Sequence, residues 1–385
     1  MTVAYPSARH SGQPAAELGQ LRVARLLLRR LILAGGAIML VLGVWGGLAR
    51  MGWALPAARS TMIAGHGALM VLGFFASLIG LERAVALGKR WTYIGPALAV
   101  LGAVLVVVDV PWPVPSAVLT LGTAGVALTF GFLALTGRMP HLVVMFGGTL
   151  AWFGGTVLVL AYQPVFRATP WWLAGFVLVI AGERLELGRF LALRRSARDQ
   201  FLGLAGALLL SLPLWLIWPG IAARLFGVAL IGLAIWLFRY DLARRAIRQR
   251  GVHRFSAVCL LAGYAWLAIA GFFLLVFGPQ TVGLRYDAEV HALTLGFVFS
   301  LVFAHAPIIF PAVTGLRYRY LPFAYLPPAL LAVTLVVRLA GDLADLPRLR
   351  QWGGMGNAVA LLLFVLSIAT SVRAARTAQS SSAAE

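Results

Sequence analysis

The fold of this chain is decided by long apolar stretches such as STMIAGHGALMVLGFFASLIGLE, residues 60–82, and AEVHALTLGFVFSLVFAHAPIIF, residues 288–310. Each is long enough to cross a bilayer as a helix, which takes about 20 mostly apolar residues. Both are about twice the length of a barrel strand and do not alternate between apolar and polar residues. The sequence therefore predicts an all-α protein whose helices span a membrane.

Ten further stretches of this kind follow one another with short connections. The twelve predicted spans are residues 30–49, 60–82, 92–110, 115–136, 141–161, 170–190, 201–218, 221–238, 255–277, 288–310, 322–340 and 353–372. Of the 385 residues, 61% are hydrophobic and only 11% are charged, which excludes a soluble enzyme, a disordered protein and a nucleic-acid binder. We predict one membrane domain over residues 29–374, an N-terminal tail of residues 1–28 and a C-terminal tail of residues 375–385.

Basic residues divide unevenly between the two sets of connections. With the N-terminus inside, 23 of the 32 Arg and Lys residues lie in inside segments, and Arg184 lies within a span. Cytoplasmic connections carry such an excess. We therefore predict a multi-pass protein of the cell's inner (plasma) membrane with both termini cytoplasmic. The net charge of +20 then indicates attraction to the lipid bilayer, and no nucleic acid is expected as a partner.

Two of the six histidines are expected to face each other inside the membrane. His66 on the second span and His291 on the tenth lie at similar depth, because even-numbered spans all run in the same direction. Small residues around both leave room for a planar group. Two neutral imidazoles across a gap are suitable axial ligands for a b-type haem. The alternative is that each imidazole bonds to a hydroxyl or carbonyl and that the small residues serve helix packing.

A third histidine, His305, lies 14 residues after His291, which is about 21 Å deeper along the same helix. Pro307 follows it and is expected to break the helix locally and free backbone carbonyls. His305 is therefore a candidate second metal ligand or part of a proton path, and both remain open. His141 is expected to be a solvated residue at a helix start. Copper is not favoured, because no three suitable ligands occur at a fitting spacing.

Charged residues also end the second and sixth spans, as Glu82-Arg83 and Glu183-Arg184. The simplest interpretation is an ion pair at the membrane interface that fixes the end of a helix. A proton-entry route that uses these four residues is the alternative. Both motifs are predicted to lie at the same depth on the inner side.

The chain resembles subunit I of the haem-copper oxidase superfamily, in which twelve helices form three arcs of four and helices two, six and ten line the interior. That resemblance implies His66 and His291 as ligands of a low-spin haem. Within the superfamily, the runs HGALMV (66–71) and HALTLG (291–296) look most like the NnrS family. Members of that family contain haem and copper and are associated with nitric-oxide stress.

The chain also departs from these families. Oxidases carry copper-binding histidines on the sixth and seventh helices, but residues 170–190 and 201–218 contain no histidine. The His-x-His-Glu-Met motif of typical NnrS proteins is not present around His66. The resemblance therefore implies a haem protein without a complete haem-copper centre.

Two functions follow as predictions. The first is a haem b protein in nitric-oxide handling or electron transfer, whose partner is a small diatomic ligand or an electron donor. Whether it is an enzyme stays open. The second is a proton-coupled transporter without a cofactor, which uses His305, Glu82 and Glu183.

Overall fold

The protein is described from a computed structural model, in which residues 15–56, 59–188 and 193–382 are described. Twelve helices in these ranges are long and apolar enough to cross a membrane. They are α1 (Ala15–Arg50), α2 (His66–Leu87), α3 (Arg90–Val107), α4 (Val114–Gly137), α5 (Pro140–Leu160), α6 (Val165–Gly188), α7 (Arg195–Ile217), α8 (Pro219–Tyr240), α9 (Val252–Phe277), α10 (Leu284–Thr314), α11 (Pro322–Leu343) and α12 (Pro347–Ser382). The prediction of an all-α multi-pass membrane protein is confirmed.

The first and last helices are longer than the predicted spans. α1 begins at Ala15 and α12 continues to Ser382, so part of each predicted tail is helical. Both extensions contain several Ala and Arg residues and no proline, and Ala and Arg favour helix even outside the membrane. Residues 1–14 and 383–385 of the two predicted tails lie outside the described residues.

Three helices meet at the centre of the bundle. The ring of Phe75 on α2 lies 4.9 Å from that of Phe176 on α6 and 5.2 Å from that of Phe299 on α10, measured between ring centres. α6 is the most enclosed of the twelve helices: 78% of its most apolar 18-residue stretch is buried inside the bundle, compared with 28% of the corresponding stretch of α7. Helices α2, α6 and α10 therefore supply the side chains of the interior.

The two faces of the bundle differ in charge. We call the face that carries the connections around Lys89, Arg138, Arg194 and residues 239–254 the basic face, and the other, which carries Arg50, the opposite face. Even-numbered helices end on the basic face and odd-numbered helices end on the opposite one. This alternation places the first halves of α2 and α10 at the same level.

Both central helices with a candidate histidine contain a π-helical segment. In α2 it covers Leu69–Ala76 and in α10 it covers Ala292–Val298. Such wide turns are rare and occur frequently at functional sites. α10 also begins at Leu284, so that His291 lies about two turns inside the helix instead of the four residues expected.

The predicted break at Pro307 is wrong. α10 continues through Pro307 and Pro311 to Thr314. Ser256 of α9 donates a hydrogen bond of 2.7 Å to the carbonyl of Ala304. The carbonyl that loses its helical donor to Pro307 is that of Phe303, four residues earlier, so the Ser256 bond is a contact between α9 and α10 beside the proline.

Candidate functional site

The rings of His66 and His291 lie next to each other where the first halves of α2 and α10 meet. Their planes are within 4° of parallel and their centres lie 6.2 Å apart. A metal bound by an imidazole nitrogen lies about 2 Å from it, and that nitrogen is about 1 Å from its ring centre, so two rings that share one metal have centres about 6 Å apart. The observed separation is therefore compatible with one ligated centre between the two rings.

The hydrogen bonds of His291 define its tautomer. Its Nδ1 lies 2.8 Å from the backbone carbonyl of Asp287. Because a carbonyl only accepts hydrogen bonds, Nδ1 must carry the proton, and Nε2 of the neutral ring carries the lone pair. A bond from Nδ1 to a carbonyl is the usual way in which a protein orients a metal-binding histidine.

Arg338 of α11 covers His291 without blocking that lone pair. Its Nη2 is 3.3 Å from Nδ1 and 3.2 Å from Nε2. An atom this close to both nitrogens lies over the face of the ring, since within the ring plane it would collide with Cε1. The lone pair of Nε2 lies in the plane of the ring and stays available to a ligand.

Two glycines of α1, Gly46 and Gly47, allow His66 to pack closely against that helix. A Cβ added at Gly47 would lie 3.4 Å from Nδ1 of His66, and one at Gly46 would lie 3.4 Å from the histidine Cβ. No hydrogen bond from the described residues reaches either ring nitrogen of His66. An imidazole with no protein partner at membrane depth has an open position for a ligand.

A buried group of four charges surrounds the pair. Arg338 forms a bidentate ion pair with Asp287 at 2.9–3.1 Å. Arg350 of α12 lies 2.8 Å from Asp342 and 3.6 Å from Asp287. Two arginines and two aspartates balance formally, which is how membrane proteins keep charges at depth. We call these four residues with His66 and His291 the His66–His291 cluster.

Sequence reasoning missed Arg338, Asp342 and Arg350 as members of this site. Arg338 and Asp342 are only 6% and 3% exposed. One signal was present: Arg338 lies within the predicted eleventh span, and an arginine inside a span is unusual enough to mark a functional or paired position. Its partner on α10 could not be identified without knowing which face of α11 points inward.

The other predicted site residues gather nearer the basic face. Arg184 lies 2.9 Å from Nε2 of His305 and 3.9 Å from Oδ2 of Asp241. Nδ1 of His305 donates to the carbonyl of Leu301 at 2.6 Å. Since Nδ1 is the donor, Nε2 accepts from Arg184 and its lone pair is occupied. The structure thus gives His305 an arginine as its partner, where the sequence left a second metal ligand or a proton path open.

The two Glu-Arg motifs pair with each other across the bundle. Arg83 of α2 forms a short ion pair with Glu183 of α6. Arg184 instead turns to His305, and Glu82 lies beside Arg83 and Glu183. The motifs therefore join α2 to α6 instead of pinning each helix end separately. We call Arg83, Glu183, Arg184, Asp241 and His305 the Arg184 cluster.

His141 is not the solvated residue that the sequence suggested. It is 6% exposed, and its Nε2 lies 3.9 Å from Glu186 at the end of α6. Within the described ranges, no three His, Cys, Asp or Glu side chains converge in a way that could hold a metal ion. A centre between His66 and His291 would therefore have to bring further ligands of its own, as a porphyrin does.

A protein-family model described as a domain of unknown function (DUF8744) matches residues 28–373. Because the match covers most of the 385 residues, the chain belongs to that family. A comparison with curated proteins found no match.

Proposed function

We propose that His66 and His291 are the axial ligands of a haem b in this membrane protein. The observation that carries the proposal is the parallel arrangement of the two rings with their centres 6.2 Å apart. It is supported by the tautomer of His291, in which Nδ1 carries the proton, and by His66, whose ring nitrogens no hydrogen bond from the described residues reaches. A b-type haem with both axial positions occupied by imidazole supplies one-electron transfer.

The residues around the pair fit that role. The carbonyl of Asp287 holds His291 in the tautomer that presents Nε2. Gly46 and Gly47 let α1 approach His66 without displacing its ring. The buried guanidinium of Arg338 provides a fixed positive charge next to the site, which favours an electron-rich state of whatever is bound there.

A wider biological setting follows from the sequence resemblance and the distribution of charge. The short runs HGALMV (66–71) and HALTLG (291–296) support a relationship to the NnrS family and the haem-copper oxidase superfamily, and with it a role in nitric-oxide handling. The concentration of arginine on the basic face supports insertion in the plasma membrane with both termini in the cytoplasm.

The haem proposal is tested on protein purified from cells supplied with haem. The wild type is expected to show the reduced-minus-oxidised spectrum of a six-coordinate b-type haem. The variants His66→Ala and His291→Ala are expected to lose it. The variant His253→Ala changes an exposed histidine in the first turn of α9 and should retain it. A wild type that stays colourless after addition of haem contradicts the proposal.

A cavity variant distinguishes a lost ligand from a misfolded protein. In His291→Gly the missing imidazole leaves a space beside Asp287, and added imidazole is expected to restore the six-coordinate spectrum. If imidazole restores nothing although the variant elutes as a monodisperse species, His291 does not act as a ligand.

A second candidate function rests on the Arg184 cluster. Nε of Arg83, Nε of Arg184 and Oδ2 of Asp241 are buried without a hydrogen-bond partner among the described residues. Buried polar groups of this kind commonly bind water, and water beside His305 would support a proton-coupled transporter. Proton uptake by liposomes that depends on a solute gradient and is lost in His305→Ala, but not in His66→Ala, would favour this function over haem binding.

A further inference from the structure

A groove opens between α7 and α8 near the basic face. Its volume is about 470 Å³. The flanking side chain of Ile235 is 59% exposed, so the groove faces the surroundings of the bundle and not its interior. The residues that matter for its chemistry are Gln200, Gly203, Gly232, Trp236, Arg239 and Tyr240.

The two glycines of the groove, Gly232 and Gly203, have different surroundings. A Cβ at Gly232 would lie 2.5 Å from Leu204, so this glycine allows α7 and α8 to pack closely. A Cβ at Gly203 would meet no atom within 4 Å. A glycine inside a helix costs about 1 kcal/mol relative to alanine, and helix packing does not account for it at Gly203. The open space above Gly203 is therefore available to an occupant.

The groove begins at the membrane boundary and enters the apolar layer. Arg239 and Tyr240 end α8, and Gly232 lies seven residues earlier, which is about 10 Å along the helix. Trp236 and Tyr240 line the part of the groove at the membrane boundary, where aromatic side chains are enriched in membrane proteins. Trp236 is fixed by a hydrogen bond of 2.7 Å from its indole nitrogen to the carbonyl of Ala197.

The charge at the mouth of the groove is positive and not neutralised by the protein. The guanidinium of Arg239 is exposed, lies 5.5 Å from the ring of Tyr240, and has no carboxylate partner among the described residues. Asp199, at the start of α7, already lies 3.9 and 3.8 Å from Arg195 and Arg198. A ligand with an anionic head and an apolar tail matches both ends of the groove.

We propose that this groove binds one anionic glycerophospholipid. Its phosphate contacts Arg239 and Gln200 at the boundary, and the first part of an acyl chain lies over Gly203 and Gly232. Basic pockets between membrane helices on the cytoplasmic side bind anionic lipid in this way. The site lies on helices that contribute nothing to the His66–His291 cluster, so it does not depend on haem binding.

The test is native mass spectrometry of the full chain released from nanodiscs that contain phosphatidylglycerol and phosphatidylcholine in equal amounts. The wild type is expected to retain one phosphatidylglycerol at least tenfold more often than phosphatidylcholine. Arg239→Gln is expected to abolish the preference, and Gly203→Leu to abolish retention by filling the groove. Because nothing lies within 4 Å of the new Cβ, Gly203→Leu is expected to fold.

Two control variants test whether the loss of any arginine on the basic face, or the addition of any leucine to α7, is enough to change lipid retention. Arg254→Gln removes an exposed arginine of the same face outside the groove, and Gly206→Leu adds the same side chain to α7 where no neighbour lies within 4 Å. Both are expected to retain the lipid. Equal retention of the two lipids, unchanged retention in Gly203→Leu, or occupation of the groove by a second copy of the chain would overturn the proposal.

Discussion

The His66–His291 cluster and the Arg184 cluster contain the same types of residue and differ in what the histidines bind. Each contains one histidine of α10, and these two histidines lie about 20 Å apart along the helix. Both clusters combine a buried arginine with an aspartate and an imidazole. In the Arg184 cluster, the lone pair of His305 accepts a hydrogen bond from Arg184. In the other, Arg338 lies over the face of His291 and bonds mainly to Asp287.

This difference teaches that the position of the guanidinium decides what an intramembrane histidine can do. An arginine at the edge of the ring occupies the lone pair, so that this nitrogen is not available to a metal. An arginine over the face leaves the lone pair open and adds positive charge. The two clusters therefore predict different responses to substitution.

The largest effect is expected for Arg338→Ala. Removal of its guanidinium takes away the closest cation of Asp287, which keeps Nδ1 of His291 at 3.4 Å and Arg350 at 3.6 Å. Breaking a buried ion pair from one side costs about 3–5 kcal/mol. Arg184→Ala should cost less, about 1.5–3 kcal/mol, because a hydrogen bond to a neutral partner and an ion pair at 3.9 Å are lost. The free energy of unfolding in mixed micelles measures both.

The control for this comparison is Arg224→Ala. Arg224 is exposed and donates only to the carbonyl of Gly220 in its own helix, so its loss should change the unfolding free energy by no more than about 0.5 kcal/mol. Equal losses for the Arg338 and Arg184 variants would show that the two clusters do not differ as described.

An intermediate effect is expected for Gly47→Leu, which places a side chain against Nδ1 of His66. Overpacking of this kind costs about 1–3 kcal/mol, and displacement of a ligand ring by its surroundings lowers the affinity for the bound group about 10- to 100-fold. Haem titration followed by absorbance measures the affinity. The control Gly206→Leu, whose new Cβ would meet no atom within 4 Å, should leave the affinity for haem unchanged. If Gly47→Leu binds haem as tightly as the wild type, His66 is not a ligand of the haem.

The smallest effect is expected for Ser256→Ala, near the Arg184 cluster. It removes one hydrogen bond to the carbonyl of Ala304 and should cost about 1 kcal/mol, seen as a small decrease in melting temperature. The haem spectrum should not change, because Ala304 lies far from His291 along α10. A loss of the spectrum would mean that the two clusters are coupled.

Much of the fold could be predicted because the bilayer demands long apolar helices. The spans at residues 114–137, 140–160 and 322–343 lie within a few residues of their predicted bounds. The shared depth of His66 and His291 follows from counting alternate helices. The π-helical segments and the continuous course of α10 past Pro307 could not be predicted, because both depend on packing against neighbouring helices.

The pairing of charges was beyond the sequence for a related reason. Arg83 follows Glu82 directly but binds Glu183, which is 100 residues away. Consecutive residues on a helix point about 100° apart, so neighbours in sequence seldom share a partner. In helices that are apolar on all sides, the pattern of residues does not show which face points inward.

Twelve membrane-spanning helices, basic residues on one face and two histidines at one level all follow from the order of residues along the chain. Lipid imposes length and composition on every span, and both are visible in the sequence. The contact of Arg338 with the ring of His291 and that of Arg184 with the ring of His305 became known only from the packed helices. These contacts depend on the rotation of each helix about its axis, which is set by the helices that surround it.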